Sequence, residues 1–588
     1  MLKIVYLRFL KLSLSILIFS CFLASSLNAQ QLDSNRIYDW KRAGLITEFD
    51  NSIQSYNAID LGAINDGVND NSLIVNSVIE DLDSASTLFF PAGFYFFKST
   101  IKLKSDVTIL GELGKTFFVF DSMPLAPCFL MQGTWNGASL KLKENVGKKQ
   151  RYVLIQNSTL EPNQIIFIGD NDSANVFSNW AINSTGQFVK VKSISTDTVF
   201  LFSELRRNYN VNLNASFRKC TPLKNTSISN LIILRRDTTE AQTSNILLDK
   251  AYNCEVRCVE SYSANFAHVS ISNSLNINVN GCYFKDANGY GGGGNGYGIA
   301  LQFASSECKV YNNIFNHLRH SILLQAGANG NFVGYNYSLN PFWTETSLPS
   351  DAAGDLVLHG NYVYANLFEG NVVQNIVIDD SHGMNGPNNV FLRNRALGYG
   401  IFMNPQIPSD SQIFIGNEIT NKSFLKGLYN LAGEGNFEFG NNVDGNCIPQ
   451  NTQDVTLKSL YFSSTPVEYK QLKVWPLIGY PTDYQSHTNF AQARDLLEGK
   501  TDCRKAIGST LNIIAENHIL LYPNPTSNYF NIENGKGIAS VRIVNTLGQV
   551  VVFYTNSQER YSFTLPAGIY WAEIVEESQT SIIKLIVR

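Results

Sequence analysis

The sequence predicts an all-β protein built around a solenoid of stacked coils, and three observations point to this fold class. Charged residues make up only 16% and aromatic residues 12% of the 588 residues, which favours extensive sheet over helical bundles or disorder. Short apolar strands recur every 20 to 34 residues through the middle of the chain, a spacing typical of solenoids. Asparagine follows most of these strands, where stacked amides can hydrogen-bond from coil to coil. The strands begin at Ile246, Val269, Ile299, Ile322, Leu356, Ile376 and Ile401, and the asparagines occupy positions 313, 336, 366, 394, 417 and 441.

The first 29 residues have the pattern of a secretory signal peptide. Lys3, Arg8 and Lys11 accompany an apolar stretch from 12 to 23, and the small residues that end at Ala29 suit cleavage there. We therefore expect export through the periplasm. No later segment is long and apolar enough for a membrane span.

Charge and cysteine content argue against two other classes of protein. The net charge is −4 and no long run of lysine and arginine occurs, so nucleic-acid binding is not expected. Eight of the nine cysteines lie beyond residue 29, but they lack the paired spacing of a zinc site. They are predicted to be small buried apolar side chains, and no structural zinc site is expected.

Residues 59–70, IDLGAINDGVND, carry a resemblance to a known family. They resemble the D-x-G-A-x-x-D-G-x-x-D opening of the pectate-lyase-like superfamily, and FPAGFY at 90–95 and LKSDV at 103–107 follow in the usual order. The resemblance implies a right-handed parallel β-helix, with residues 73–82 as a capping helix. Lyases, polygalacturonases, epimerases and phage tailspikes share this opening, so it indicates the fold rather than the reaction.

The coil pattern divides the rest of the main body. Residues 30–119 are predicted to be the N-terminal cap and first coils, and residues 223–445 the remaining coils. Between them, segment 120–222 alternates polar and apolar residues like exposed antiparallel strands and is predicted to be an inserted small β domain. Residues 446–517 are predicted to form a C-terminal cap and linker, because open sheet edges need cover.

Residues 518–588 are predicted to form a separate small β-sandwich, because short alternating strands recur there at regular intervals. The segment starts near LYPNP at 521–525 and ends with KLIV at 584–587. The order of these motifs resembles the type A C-terminal sorting domain of the type IX secretion system. The resemblance implies recognition by that machinery and a location outside the cell or on the outer-membrane surface. We expect a monomer.

Strand alternation places candidate site residues on one outer face of the solenoid. If the first residue of each recurring strand points inward, the residue three positions later points outward. The residue just before each strand, such as Asp355, is expected to point outward as well. The first of these columns comprises Asp249, Ser272, Gln302, Gln325, His359, Asp379 and Asn404.

His359 and Asp379 fall on adjacent coils, so a carboxylate–imidazole pair suited to proton transfer is expected. Asp355 and Asp380 complete the predicted catalytic set. Nearby polar and basic residues could bind a polysaccharide and neutralise a uronate carboxylate. The predicted substrate-binding residues are Gln302, Arg319, His320, Gln325, His382, Arg393, Arg395 and Asn404.

Two enzymatic reactions and one binding role remain open. Hydrolysis would use two carboxylates, although the separate motifs of polygalacturonases are absent. β-Elimination would use His359 as the base, the arginines as carboxylate neutralisers, and Tyr399 or Tyr362 as the proton donor. The calcium-binding aspartates and the Arg-x-Pro-x-x-Arg motif of pectate lyases are also absent, so no cofactor is predicted, and calcium stays open as an alternative without a supporting motif. We favour a lyase acting on a uronate-containing glycan, with a non-catalytic glycan-binding adhesin as the third interpretation.

Overall fold

The computed structural model describes residues 32–47, 54–83, 85–155, 159–290, 294–342, 354–404, 406–470, 474–481, 487–503, 520–522, 526–533, 538–545, 549–576 and 580–588. The chain divides into two compact units, Met1–Cys503 and Arg504–Arg588. The predicted signal peptide lies outside the described residues. Within the described ranges, no helix is both long and apolar enough to cross a membrane.

Short β-strands form most of the structure. The first coils contain β1 (Gln54–Asn57), β2 (Asp66–Asp70), α1 (Ser72–Asp81), β3 (Ser86–Phe90), β4 (Gly93–Phe97), β5 (Ile101–Lys102), β6 (Val107–Gly111), β7 (Thr116–Phe120) and β8 (Phe129–Gln132). An inserted sheet, called the insert, contains β9 (Thr134–Lys141), β10 (Tyr152–Leu154), β11 (Ile165–Gly169), β12 (Gln187–Ser195), β13 (Thr198–Leu201) and β14 (Ser216–Thr221).

The coils resume after the insert. Their strands are β15 (Leu223–Lys224), β16 (Ser227–Ser229), β17 (Ile232–Arg235), β18 (Ile246–Asp249), β19 (Ala251–Tyr252), β20 (Glu255–Arg257), β21 (Glu260–Ala264), β22 (Ala267–Ser272), β23 (Asn278–Asn280), β24 (Tyr283–Ala287), β25 (Tyr297–Gln302), β26 (Lys309–Tyr311), β27 (Ile314–Asn316) and β28 (His320–Leu324). They continue as β29 (Phe332–Gly334), β30 (Tyr337–Leu339), β31 (Leu356–Leu358), β32 (Leu367–Glu369), β33 (Val372–Ile378), β34 (Val390–Leu392), β35 (Arg395–Met403), β36 (Ile413–Ile415), β37 (Glu418–Ile419), β38 (Leu428–Asn430), β39 (Phe437–Phe439), β40 (Asn441–Val443) and β41 (Asn446–Ile448). Helix α2 (Phe490–Leu496) follows, and the second unit contains β42 (Leu520–Tyr522), β43 (Tyr529–Glu533), β44 (Ile538–Val544), β45 (Val550–Thr555), β46 (Tyr561–Ser562), β47 (Gly568–Glu576) and β48 (Thr580–Val587).

The strands of the first unit stack in parallel ladders, as a right-handed β-helix requires. A twelve-stranded sheet runs β1-β3-β6-β16-β20-β23-β26-β29-β32-β34-β36-β39. A second ladder, called the groove ladder, runs β5-β8-β18-β22-β25-β28-β31-β33-β35-β38. Every recurring apolar strand of the sequence is a rung of the groove ladder. The β-helix fold class is therefore confirmed.

Inward side chains of the ladders form one continuous apolar core. Ile246 pairs with Val269 in the next coil, and Val269 pairs with Ile299 in the one after it. All three are fully buried in this core. A single coil cannot bury its apolar face alone, so stacking supplies the core. Helix α1 covers the first coils with Val75 and Ile79, close to the predicted helix at 73–82.

The predicted asparagine column is two ladders rather than one. In both, the amide nitrogen of one coil donates to the amide oxygen of the next at 2.8–3.1 Å. Asn366 and Asn313 belong to different turns of the coil. Both turns recur at a similar spacing in the sequence, so the prediction placed the asparagines of the two turns in one column. The first ladder contains Asn313, Asn336, Asn371, Asn394, Asn417 and Asn441, and the second contains Asn331, Asn366, Asn389 and Gln412.

The insert is a six-stranded antiparallel sheet in the order β10-β13-β12-β11-β14-β9. It begins later than the predicted boundary at 120, because β7 and β8 still pair with the coil strands β17 and β18. One face of the sheet packs Ile165 and Phe188 against Tyr252 and Leu275 of the solenoid. The insert therefore sits directly on the outside of the coils.

The segment that follows β41 packs along the outside of the twelve-stranded sheet, whereas the sequence analysis assigns it to the end of the solenoid. Outward side chains of this sheet, such as Phe332 and Leu367, are apolar and fully buried. Tyr461 stacks on Phe332 with ring centroids 3.7 Å apart. An apolar outer face must be shielded from water. The segment that follows β41, residues 449–503, provides this cover and is called the outer segment.

Two of the cysteines that the structure describes in the first unit are joined, and the others are buried. Cys503 forms a disulfide with Cys258, which fastens the end of the outer segment to the solenoid. Six further cysteines are buried free thiols: Cys128, Cys220, Cys254, Cys282, Cys308 and Cys447.

The second unit is a small antiparallel structure with its own core. Strands β42, β43 and β46 form one sheet, and β45, β44, β47 and β48 form another. Phe530, Tyr561 and Leu585 are fully buried in one cluster. This arrangement agrees with the β-sandwich predicted for residues 518–588.

Candidate functional site

The outward side chains of the groove ladder form a polar column, called the groove column. Gln325 Nε2 donates to Gln302 Oε1 at 2.7 Å, His359 contacts Asp379, and Asn404 Nδ2 donates to Asp379 Oδ1 at 3.0 Å. The structure therefore brings together the side chains that strand alternation placed on one face. These hydrogen bonds join neighbouring coils in two groups, one with Gln302 and Gln325, which are 9% and 8% exposed, and one with His359, Asp379 and Asn404.

His359 and Asp379 form a hydrogen-bonded pair in the column. The Nδ1 atom of His359 contacts Oδ2 of Asp379, and Ser381 Oγ donates to the same oxygen at 2.6 Å. The Ser381 N–H donates to Asp379 Oδ1 at 3.0 Å. The histidine and aspartate side chains are 13% and 16% exposed. Since Nδ1 is engaged, Nε2 is the ring nitrogen that remains for a substrate.

Asp379 is held in its ionised form. Burial by itself would raise its pKa, but the hydrogen bonds from His359 and Ser381 outweigh burial and hold the pKa of this carboxyl far below its ordinary value. A fixed negative charge next to His359 stabilises the positive charge that the imidazole gains when it takes a proton. The pair is thus arranged for general-base chemistry.

Two more histidines flank His359. Its ring centroid lies 5.6 Å from that of His320 and 4.8 Å from that of His382. Burial lowers the pKa of His320 to about 3, and the nearby charges of His359 and Arg319 lower it further. Burial and the charge of His359 also lower the pKa of His382. Both flanking imidazoles are therefore uncharged near neutral pH.

A loop of the insert forms a wall next to the histidines. The backbone N–H groups of Phe177 and Ser178 donate to Asn361 Oδ1 at 2.9 and 3.1 Å, and Ser178 Oγ lies 3.1 Å from His382 Nδ1. Trp180 packs edge-on against His382, with ring centroids 5.4 Å apart. Trp180 is 45% and Phe177 53% exposed. Exposed aromatic faces beside polar groups suit the binding of sugar rings.

Arg319 and Asp380 also lie in this region. The Arg319 guanidinium is 5.9 Å from the centroid of Tyr297, and the Tyr297 ring lies 4.9 Å from that of His320. Asp380 accepts from Asn404 at 3.1 Å and from the N–H of Ile407 at 3.0 Å. Asp380, which lies just after β33, therefore stabilises the loop that follows β35 and contacts Asn404 at the end of the groove column.

Arg393 and Arg395 are placed away from the groove column, contrary to their predicted role in substrate binding. Arg393 is 2% exposed and donates four hydrogen bonds to backbone carbonyls of the outer segment. Arg395 is paired with Glu418 at 2.7 Å and is likewise buried. Arg393 directly follows β34 of the twelve-stranded sheet, and Arg395 begins β35 and donates to the carbonyl of His487 at 2.5 Å, so both side chains stabilise packing.

Asp355 and the other residues that precede the groove strands point away from the groove. Asp355 is completely buried and accepts from the N–H of Gln374 at 2.6 Å. Ser321, at the equivalent position, bonds to Ser338 at 2.8 Å. The chain bends from one ladder to the next here, so strand alternation fails at the corner. Burial raises the pKa of Asp355 to about 7, without giving it access to a substrate.

The two tyrosines considered as proton donors are less accessible than the sequence suggests. Tyr399 is 3% exposed in an apolar cluster that also holds Ala300, Leu323 and Phe402. Tyr362 packs against Tyr364, and burial raises its pKa. Neither observation places a phenol next to the Nε2 atom of His359.

Four residues of the site were missed by the sequence analysis: Phe177, Ser178, Trp180 and Ser381. Ser381 is adjacent to the predicted aspartates and could have been found as a hydroxyl within a carboxylate-rich turn. Ser178 and Trp180 lie about 180 residues from His359 in sequence, and only the packing of the insert brings them there. Within the described part of the chain, no cluster of three or more histidine, cysteine or acidic residues could hold a metal ion.

Two segments of the chain match known families. Residues 55–127 match the model of the rhamnogalacturonase A/epimerase, pectate lyase-like family. Residues 520–588 match the model of the secretion system C-terminal sorting domain. No curated protein sequence matches the chain.

Solved structures with a similar fold include two phage tailspikes. The tailspike gp49 from Pseudomonas phage LKA1 has 13% sequence identity and a TM-score of 0.51, and the match covers 62% of this chain and 64% of the tailspike. The tailspike gp61 of Pseudomonas phage phi297 has 13% identity and a TM-score of 0.51, with coverage of 67% and 76%. The chain thus spans less than two thirds of the LKA1 tailspike. Together with the family matches, the fold shows that the chain combines a pectate-lyase-like right-handed parallel β-helix with a C-terminal type IX secretion sorting domain.

Proposed function

We propose that this protein is a secreted polysaccharide lyase that acts on a uronate-containing glycan. The observation that carries the proposal is the His359–Asp379 pair on the outward face of the groove ladder, where an ionised carboxylate holds Nδ1 and leaves Nε2 for a substrate. The match of residues 55–127 to a rhamnogalacturonase and epimerase family supports a polysaccharide substrate.

The reaction is a β-elimination. The Nε2 atom of His359 takes the proton from the carbon next to the uronate carboxylate, C5. The electron pair of that C–H bond forms the C4=C5 double bond, and the C4–O glycosidic bond breaks. The leaving oxygen takes a proton from the imidazolium, which returns His359 to its neutral form.

Neighbouring groups have defined tasks in this scheme. Arg319 neutralises the uronate carboxylate, which makes the C5 proton more acidic. Amide groups of Gln302 and Gln325 bind sugar hydroxyls along the column. Trp180 and Phe177 of the insert provide apolar faces for sugar rings.

Hydrolysis is less well supported by the same geometry. An inverting or retaining hydrolase needs a protonated carboxylic acid beside the scissile bond. Asp379 is kept ionised, while Asp355, whose pKa is raised to about 7, is buried in the interior corner. The groove column thus offers an imidazole base more readily than an acid–base pair of carboxyl groups.

The protein leaves the cell in two steps, through the periplasm and then across the outer membrane. After removal of the signal peptide in the periplasm, the sorting domain at 520–588 engages the type IX machinery. The β-helix is then released to the medium or held at the outer-membrane surface, where it works as a monomer.

The test is a comparison of two products from a panel of uronate and neutral polysaccharides. We expect the full chain to produce ultraviolet absorbance from unsaturated uronate ends together with new reducing ends. His359→Ala and Asp379→Asn should lower the rate about 10²- to 10⁴-fold. The control Asp83→Asn changes an exposed aspartate of the first coils, outside the groove column, and should retain full activity.

Two other results would overturn the proposal. Reducing ends without absorbance would identify a hydrolase. Retained glycan binding without either product, unaffected by His359→Ala, would identify a non-catalytic adhesin.

A further inference from the structure

Two pockets adjoin at the junction between the insert and the solenoid, and none of their lining residues belongs to the groove column. The first has a volume of about 460 Å³ and is lined by Lys190, Lys219, Lys224 and Tyr252, among others. The second has a volume of about 400 Å³ and includes Lys192 and Phe202. Both volumes fall within the usual range for binding sites, about 300–1,000 Å³.

Lys190 connects the two pockets. Its Nζ atom donates to the hydroxyl of Tyr252 at 3.1 Å and lies 5.3 Å from the centroid of that ring. The same atom lies 5.5 Å from the centroid of Phe202 in the second pocket. Lys192 lies at the β-bulge that interrupts β12 between Val191 and Ser193, and it lines the second pocket. Lys190 thus lies between the two pockets, which together are called the basic cleft.

Positive charge in the basic cleft is only partly compensated. Among the residues that the structure describes, Lys190, Lys192, Lys219 and Lys224 have no carboxylate within ion-pair distance. Asp106 contacts the edge of the cleft, where its carboxylate accepts from Asn225 at 2.7 Å. A second edge carries Arg42 and Arg151, which lie 3.7 Å from Glu307 and Asp39.

This local excess stands out because the whole chain has a net charge of −4. The Lys219 ammonium donates to Thr159 at 2.7 and 2.9 Å, and all four lysines keep a positive charge that a bound anion can offset. Amide side chains of Asn136, Asn163 and Gln164 also line the first pocket and can hydrogen-bond to hydroxyl groups. Cations, amides and aromatic rings in the basic cleft match an acidic sugar chain.

We infer that the basic cleft is a second glycan-binding site, which takes a carboxylated or sulfated polysaccharide. It goes beyond the proposed lyase function, because it requires no group of the groove column. A site of this kind keeps an acidic polymer attached to the β-helix while the groove acts on another part of it. Carboxylate and sulfate groups are both anions that accept hydrogen bonds from lysine. Binding assays with a carboxylated and a sulfated polymer distinguish between them.

The experiment measures affinity of the full chain for polygalacturonate, for chondroitin sulfate and for neutral dextran by isothermal titration calorimetry at two salt concentrations. We expect binding to at least one acidic polymer, no binding to dextran, and weaker binding at high salt because the charges are screened. The Lys190→Gln/Lys192→Gln variant should bind about three- to tenfold more weakly. The matched control Lys141→Gln/Lys148→Gln removes two exposed lysines of the insert outside the cleft and should bind like the parent.

The His359→Ala variant separates this inference from the proposed function. It should lose lyase activity and keep its affinity for the acidic polymer, whereas Lys190→Gln/Lys192→Gln should keep activity on a short oligosaccharide. Equal weakening by the control pair would show a diffuse charge effect and overturn the inference. Tighter binding of double-stranded DNA than of any acidic glycan, with the same lysine dependence, would overturn the assignment of the ligand.

Discussion

Replacing Arg393 tests whether this side chain belongs to the substrate site or to the packing of the outer segment. Its guanidinium donates to the carbonyls of Leu457 and Val455, both at 2.9 Å, and to those of Ile478 and Tyr480 at 2.8 and 2.7 Å. Burial lowers its pKa to about 10, so it is charged at neutral pH and these are ionic hydrogen bonds.

The magnitude follows from the four acceptors. A hydrogen bond to a charged group contributes about 1.5–3 kcal/mol, and a buried acceptor left alone costs about 1–3 kcal/mol. The cost of burying the guanidinium offsets part of this sum, and the partly buried carbonyls regain water. We expect Arg393→Met to lower the free energy of unfolding by about 4 kcal/mol. Arg393→Lys, with three donors and no planar fork, should lose about 2 kcal/mol.

The assay combines urea unfolding with glycan binding. We expect the unfolding midpoint to fall in the order parent, Arg393→Lys, Arg393→Met, while folded protein binds glycan with unchanged affinity. Limited proteolysis should cut the variants first within residues 449–503, since that segment loses its anchor. Unchanged stability together with weakened glycan binding would refute the reasoning and return Arg393 to the substrate site.

Three further predictions concern the solenoid. Asn394→Ala removes a member of the asparagine ladder with four buried hydrogen bonds and should lower the free energy of unfolding by about 3 kcal/mol. The control in the same urea titration is the surface change Asn340→Ala, which loses one hydrogen bond at 3.2 Å. Equal effects of the two substitutions would contradict the stabilising role of the ladder. Burial lowers the pKa of His268 to about 3 from an ordinary 6.5, so the unfolded chain binds a proton at a higher pH than the folded chain does. The contribution of His268 to the free energy of unfolding is therefore complete above about pH 6.5. At pH 5 this contribution has fallen by about 2 kcal/mol. His268→Gln should flatten the measured dependence of unfolding on pH below 6.5, and an unchanged slope would rule this histidine out. Cys503→Ser breaks the disulfide to Cys258 and should destabilise the first unit by about 2–4 kcal/mol. We expect faster proteolysis of the outer segment. A proteolysis rate equal to that of the parent would show that packing alone holds this segment on the solenoid.

Repetition in the sequence was sufficient to predict the β-helix. The strands that begin at Ile246, Val269 and Ile299 repeat an inward apolar position, and only parallel stacking gives each of them a partner. The same alternation placed His359 and Asp379 on adjacent coils, because register within a ladder is fixed by burial of one face. These parts of the site depend on local pattern alone.

Predictions of which side chains line the groove were wrong where the chain leaves a strand. Asp355 lies at a corner between ladders, and a bend of the backbone turns its side chain inward although its spacing from His359 suggests a shared face. Arg393 lies just past a strand of the twelve-stranded sheet, and nothing in its neighbourhood in sequence reveals that residues 449–503 cover it. Both errors concern residues whose surroundings come from distant parts of the chain.

The sequence by itself determined the solenoid, the sorting domain and the His359–Asp379 pair, because each follows from short-range periodicity or a contiguous motif. Only the tertiary structure decided that Trp180 faces His382, that the insert and solenoid enclose a basic cleft, and that Arg393 is structural. These contacts join segments far apart in the chain, and their geometry is set by how whole sheets pack against one another.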